Sequence, residues 1–254
     1  MKIIVAIKQV PERDAQVRIA ADGKGIEESD IQYAMNESDA YALEEALQLK
    51  EKHGGEVIVV SAGPERVGTT IREALAKGAD RAIAIDVNDL NQRDALGVAR
   101  LIADAVRPES PDLVLTGLQS DDLGYGQTGV IVGELLGMPH ATLILHVEKT
   151  DGGIKVKREL EAGWFQEIEL PLPAALTIQS GGNKLRYATL MGIKKAKTKE
   201  MRVVETPAAD GAPLAALDSI SAPKKQRSTQ IIEGDAKQAA ATLVEKLKFE
   251  ARVL

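Results

Sequence analysis

The residues best suited to chemistry form one glycine-rich stretch: Gly117-Leu118-Gln119-Ser120-Asp121-Asp122-Leu123-Gly124-Tyr125-Gly126-Gln127-Thr128-Gly129. The apolar run Leu113–Thr116 precedes it, and Val130–Leu136 follows, so the order is strand, loop, helix. Glycines let main-chain N–H groups approach a ligand closely, and the start of a helix carries free donors and a partial positive charge. That combination suits a phosphate. Gln127 and Thr128 add side-chain donors, whereas Asp121 and Asp122 suit ribose hydroxyls or polar contacts with a partner. The spacing is neither that of a P-loop nor G-x-G-x-x-G, and the same residues would serve an ordinary glycine-rich turn.

Other chemistries have little support. With no cysteine, disulfides, thiolate catalysis and cysteine-ligated clusters are excluded. His53, His140 and His146 do not form a metal-binding spacing. A net charge of -6 and 3% aromatic residues argue against nucleic acid as a partner. No apolar run approaches the ~20 residues that span a bilayer, and Met1–Ile7 reads as a buried strand. A soluble, cytoplasmic protein, not embedded in a membrane, is the expectation. At 254 residues with 44% hydrophobic content, the chain can bury a sizeable core.

The elements that must position the loop follow a regular alternation. Strands are predicted at Ile3–Ile7, Glu56–Ser61, Arg81–Ile85 and Leu113–Thr116. Helices are predicted from Asn36–Asp39 to Gly54, over Gly68–Lys77, over Arg93–Val106, and from the glycine loop to Gly137. Asn36 or Ser38 is the expected N-cap of the first helix. Gln9–Ser29 reads as a polar segment with a small hairpin around Asp22-Gly23. Such alternation gives a doubly wound parallel sheet, whose ligands sit beyond the carboxyl ends of its strands where strand order reverses. Ala6, Asn36-Glu37-Ser38-Asp39, Ala62 and the loop from Gly117 to Thr128 all fall at such ends or at a helix start.

After Thr142 the pattern changes to strand-length runs at 142–147, 154–160, 166–170 and 175–179, with glycine turns between the first three. From Lys184 to Arg202 the chain carries a net charge of +6, leaving -12 for the remainder, which suggests a docking surface. Thr206–Gln230, rich in proline and small residues, reads as an extended arm that either lies on a partner or is mobile. The helix over Asp235–Phe249 directs Ala239, Leu243 and Leu247, with Ala240 and Val244, inward.

Several segments taken together resemble the β subunit of electron transfer flavoproteins. They are Ile3–Val10, Asn36–Asp39, Val60–Pro64, Lys77–Arg81, Gly117–Asp122, Val156–Glu161, Pro173–Thr177 and Arg186-Tyr187-Ala188-Thr189-Leu190. The Gln230–Gly234 stretch is most similar to bacterial members serving amine dehydrogenases, while Ala162 departs from the family's turn after Glu161. The resemblance implies an α/β fold: a doubly wound, mostly parallel, Rossmann-like sheet that binds an adenine nucleotide, with added antiparallel strands and a C-terminal arm and helix. It implies an electron carrier rather than an enzyme, a heterodimer with an α subunit that holds most of the FAD, and AMP against Ala6, Asn36–Asp39, Ala62 and Gly117–Thr128. Flavin-dependent dehydrogenases would donate electrons, and a membrane quinone oxidoreductase would receive them. Residues 1–204 would form the nucleotide-binding domain, including an exposed recognition loop, 185–193. Residues 205–254 would form the arm and helix that contact the α subunit. Leu185, Arg186, Tyr187, Leu190, Ile193, Lys194 and Lys195 would meet the dehydrogenase. Some relatives instead bind a second FAD and bifurcate electrons from NADH, and a free-standing nucleotide-binding regulator is a third reading.

Overall fold

The structure, a computed structural model, describes residues 1–206, 213–223 and 229–254. In chain order, β1 (Lys2–Ala6), β2 (Gln9–Pro11) and β3 (Tyr33–Met35) precede α1 (Glu37–His53). Next come β4 (Glu56–Gly63), α2 (Val67–Lys77), β5 (Arg81–Asp86), α3 (Ala95–Val106), β6 (Leu113–Gly117) and α4 (Thr128–Leu136). β7 (His140–Lys149), β8 (Ile154–Glu159), β9 (Phe165–Leu170) and β10 (Ala174–Ile178) follow. The last elements are α5 (Leu190–Ala196), β11 (Met201–Glu205) and α6 (Ala236–Phe249).

Nine strands form one sheet in the order β11-β5-β4-β1-β6-β10-β7-β8-β9. It is parallel from β11 through β7, and antiparallel where β8 and β9 are added. The predicted α/β doubly wound sheet with added antiparallel strands is therefore the observed fold. Continuous Val and Ile runs form its centre because both faces are covered. Ile3, Val5, Val57 and Val59 pack beneath α1 and α2. Ile4, Ile58, Val60 and Ile83 on the other face pack beneath α3 and residues of α4. Each fully buried side chain of this size contributes about 1.5–3 kcal/mol. From β1 the order runs outward through β4 and β5, then reverses to β6 on the opposite side. The reversal opens a crevice between the carboxyl ends of β1 and β6.

Three elements differ from expectation. The polar segment Gln9–Ser29 opens with β2, which pairs antiparallel with β3 just beyond the segment's end. The predicted hairpin there is reduced to one bridge, Ile19 with Ile26. The basic segment contains α5 and the edge strand β11, so residues 185–193 are not loop throughout. Thr189 caps α5 by accepting a hydrogen bond from the Gly192 N–H at 3.0 Å. Gly192 lies so close to the Ala76 carbonyl that a Cβ would collide with it. Gly192 thus serves close packing of helix on helix, whereas in sequence it reads as loop.

The chain divides into two units, Met1–Ser219 and Ile220–Leu254. In the first, the arm begins on its own domain. Thr206 donates its hydroxyl to the Asp86 carbonyl at 2.8 Å, and the N–H groups of Leu214 and Ala215 donate to the Asp94 carboxylate at 2.8 and 3.3 Å. Residues 207–212 and 224–228 of the predicted arm lie outside the described residues. The second unit contains α6, opened by a capping box between Asp235 and Gln238. No residue of α6 is fully buried: of the stripe read as inward-facing, Ala239 and Leu247 are half-buried, while Ala240, Leu243 and Val244 are exposed, as is Phe249.

Asp94 also caps α3, accepting from the Gly97 N–H at 2.8 Å. Those donors, Gly97 first and then Leu214 and Ala215, hold its carboxyl below the usual carboxylate range. Its stabilisation is present above the unfolded-state pKa and is lost as pH falls through the lower folded-state value. Asp94→Ala should cost about 1 kcal/mol, seen as a lower denaturant midpoint at neutral pH. The difference from the unsubstituted protein should shrink on acidification.

Candidate functional site

One carboxylate spans the crevice. Asp39, in the first turn of α1, accepts the Lys8 N–H just beyond β1 at 2.7 Å and the Gly117 N–H ending β6 at 2.8 Å. It thereby satisfies two backbone donors that diverging strands cannot pair with each other. Asp39 is buried, which pushes its pKa up to about 7 against the pull of those N–H donors. Gly117 has no room for a side chain, since a Cβ there would collide with Ser38 and Asp39.

The start of α1 also holds the first half of the glycine loop. Asn36 does not cap α1 with its side chain. Its amide instead donates to the Gln119 carbonyl at 2.9 Å, and its side-chain oxygen accepts the Asp121 N–H at 2.9 Å. Ser38 donates to the same Gln119 carbonyl at 2.8 Å. Asp121 in turn accepts the Glu37 N–H at 3.2 Å, placing a negative charge at the positive end of α1. Asp122 receives the Lys8 ammonium on both oxygens, at 2.6 and 2.7 Å. Both acids read in sequence as ligand or partner contacts thus meet the protein's own groups.

The second half of the loop is different. Gly124 and Gly126 have φ of 63° and 62°, the left-handed region that favours glycine, and they carry the chain toward α4. Leu123 and Tyr125 between and before them are exposed. No side chain caps α4 at Gln127, and its first turn has no acid. A Cβ on Gly129 would collide with Thr116 and Thr177. The hydroxyl of Thr177, a residue only 3% exposed, has no partner, nor has that of Ser61 near the end of β4. Ala6 ends β1 and Ala62 lies near the end of β4, on the same edge. Ala6, Asn36–Asp39, Ala62 and Gly117–Thr128 therefore converge, with the α1 side filled by protein contacts and the α4 side presenting free donors.

Residues 24–209 match the family model described as Electron transfer flavoprotein domain. The chain belongs to the electron transfer flavoprotein β-subunit family. It is 39% identical over 257 residues to the electron transfer flavoprotein subunit beta of Methylophilus methylotrophus, covering 96% of this chain and 97% of that one. It is 37% identical to the Bradyrhizobium diazoefficiens subunit beta over the whole of both chains. The Homo sapiens subunit beta is 38% identical over 208 residues, 81% of each chain. Electron transport by a flavoprotein is thus the setting of this chain. Among the described residues, no helix is long and apolar enough to cross a membrane.

In this electron transfer flavoprotein chain, the segment expected to meet a dehydrogenase divides into two kinds of residue. Arg186 is committed internally. Its guanidinium donates to Glu44 at 2.8 and 3.0 Å and to Glu51 at 2.6 and 3.2 Å, and its backbone N–H reaches Glu44 at 3.2 Å. Leu185 is half-buried beside it. Tyr187, Leu190, Met191 and Ile193 are exposed, Tyr187 by 92% and Leu190 by 82%, with Lys194, Lys195 and Lys197 also exposed. Lys199 instead donates to the Leu75 and Ala79 carbonyls at the end of α2. Sequence reasoning missed Lys8, Glu44 and Glu51 as organising residues. Glu44 and Glu51 are seven residues apart on one helix, hence on one face, and that spacing was the available signal.

An amide at position 39 can accept only one of the two N–H groups, leaving the other facing an NH₂. Asp39→Asn should destabilise the protein by about 1–3 kcal/mol, measured by chemical denaturation. The folded carboxyl keeps its proton to about pH 7 and the unfolded one to about pH 4. Stability should therefore fall as pH rises between these values, and Asp39→Asn should remove that slope.

Proposed function

We propose that this chain is the nucleotide-carrying half of a heterodimer, binding one AMP in the crevice and pairing with an α subunit that holds most of the FAD. The uncapped start of α4 beside the glycine loop, at the point where strand order reverses, carries this reading. The residues fit the group. N–H groups at Thr128, Gly129 and Val130, with the side chains of Gln127 and Thr128, would hold a phosphate. The close approach at Gly129 and the unpartnered hydroxyl of Thr177 suit a polar ligand along the edge through Ala62 and Ala6. AMP is here a structural ligand, and FAD on the α subunit supplies the redox chemistry.

The exposed apolar residues of α6 support its docking on the α subunit. Around Leu190, an apolar cluster beside Lys194, Lys195 and Lys197 supports docking of a flavin dehydrogenase, with electrons passing on toward a membrane quinone oxidoreductase. Burying one leucine contributes roughly 1.5–3 kcal/mol, enough to orient a complex that still dissociates quickly. Exposed lysines raise encounter rate more than final affinity.

Released nucleotides decide the first part. The complex purified with its α subunit and then denatured should yield one FAD and one AMP per heterodimer. Two FAD would establish the bifurcating arrangement, and no nucleotide beyond the α-subunit FAD would overturn the crevice assignment. A chain ending at Ser219 should lose α subunit and FAD while keeping its sheet signal in circular dichroism. Retention of a full-strength heterodimer would reject the docking role of residues 220–254.

For docking, Leu190→Ala should slow flavin reduction by the natural dehydrogenase roughly tenfold while leaving FAD and AMP content unchanged. Charge reversal at Lys194, Lys195 and Lys197 should flatten the salt dependence of that rate. Unaltered stopped-flow kinetics in Leu190→Ala would remove the leucine from the docking surface.

A further inference from the structure

We propose that Arg72 and Lys199 are positioning residues for docking: their crossed hydrogen bonds to the carboxyl ends of α5 and α2 hold α5 in the pose that presents Leu190 and the exposed lysines together. The inference rests on the docking reading above and adds what keeps that surface in shape. α5 has seven residues, and an isolated helix shorter than about 12–15 residues is marginal in water. Of its residues only Ala196 is buried, while Leu190, Met191 and Ile193 are exposed. Apolar burial therefore does little to hold this helix, and its order has to come from polar contacts at its ends. Thr189 supplies the first, accepting the Gly192 N–H at 3.0 Å.

The second comes from α2. Arg72 donates through Nη1 to the Ala196 carbonyl that ends α5, at 2.6 Å, and to the Lys199 carbonyl at 3.1 Å. Lys199 reaches the other way. Its ammonium donates to the Leu75 carbonyl in the last turn of α2, at 2.9 Å, and to the Ala79 carbonyl just beyond that helix. Each helix thus receives a cation from the other's side at the end where carbonyls lack partners and partial negative charge collects. Gly192, against the Ala76 carbonyl with no room for a Cβ, fixes how closely the two helices lie. Arg72 and Lys199 are half-buried against carbonyls, whereas Lys194, Lys195 and Lys197 are exposed. The clasp therefore commits two charges to geometry and leaves the others to a partner. Opening either half frees the end of α5. A partner that needs the helix ordered then binds with an affinity reduced by the ordered fraction, while the complex once formed is the same.

The test uses the heterodimer with its α subunit and FAD, mixed by stopped flow with increasing concentrations of its reduced natural dehydrogenase. Lys199→Met and Arg72→Met should each raise the half-saturating concentration about tenfold, as expected for a helix ordered about a tenth of the time. The limiting rate of flavin reduction and its salt dependence should not change, since the exposed lysines are untouched. Lys199→Arg and Arg72→Lys, which keep a donor cation, should restore the half-saturating concentration to within about threefold. A clasp of merely structural weight would lower Tm in the Met variants and leave the half-saturating concentration alone, and that result would overturn the proposal. So would a flattened salt dependence in Lys199→Met, which would make Lys199 a steering charge. If Leu190→Ala raises the half-saturating concentration and the Met variants do not, the clasp is overturned and the docking reading stands. If none of the three raises it, the docking reading itself fails. Hydrogen exchange on the unsubstituted heterodimer decides the matter if neither Met variant assembles. Amides over 193–198 should be protected like those of α2, and exchange at the rate of an unstructured chain would overturn the clasp.

Discussion

The structure depends on a buried carboxylate at the place where the sheet changes direction. Where strand order reverses, β1 and β6 part, and the N–H groups of Lys8 and Gly117 lack strand partners there. Burying either without a partner would cost about 1–3 kcal/mol. Asp39 supplies both acceptors from α1. Because that contact fixes α1 against the crevice, the neighbouring Asn36 and Ser38 can grip the Gln119 carbonyl and set the course of the glycine loop. The geometry of this crevice is therefore inherited from a helix start and not from the loop's own glycines.

The same helix organises the segment proposed for docking. Further along α1, Glu44 and Glu51 clasp Arg186, while Glu45, only 3% exposed, accepts the Val147 N–H and the Asn183 side chain at 2.8 and 3.0 Å. Buried or half-buried acids are tolerable only with such partners, and removing one partner leaves an uncompensated charge. Burial disfavours ionisation of Glu44, but the hydrogen bonds from Arg186 and Gln48 outweigh it and hold the carboxyl below its usual range. One helix thus fixes the glycine loop at its first turn and the base of the 186–196 segment along its length. The exposed Tyr187 and Leu190 stand on a rigid support, which would lower the ordering cost of the proposed docking.

The features legible in the sequence were those with a local cause. Runs such as Ile3–Ile7 and Val57–Val60 announce buried parallel strands, and Gly137 followed by Pro139 announces a helix end. The convergence of Ala6, Asn36–Asp39, Ala62 and Gly117–Thr128 follows from topology, which the alternation of elements reveals. What escaped depends on distant partners. β2 and β3 are three residues each, too short to announce themselves, and they pair across a separation of more than twenty residues, just before α1 begins. The seven positive charges in 184–202 look alike in sequence, yet Arg186, Lys199 and Arg202 are spent on Glu44 and Glu51, on carbonyls ending α2, and on Glu109. Only the fold separates them from the exposed Lys184, Lys194, Lys195 and Lys197.

That separation bears on how an electron carrier can be both specific and quick. A surface built wholly of structural ion pairs would be rigid but would offer a partner no free charge, since each cation already has its anion. A surface of free lysines alone would attract acidic partners without orienting them, as such charges act over a Debye length of about 8 Å at physiological salt. Here the paired cations hold the segment in place, the free ones stand at the end of α5 and just beyond it, and one exposed leucine begins that helix. In the proposed docking, attraction and orientation fall to different side chains of one short segment. An anchor limited to the small apolar cluster around Leu190 would be bounded in strength by what those few side chains can bury. That bound would let an oriented complex fall apart before the next encounter is due.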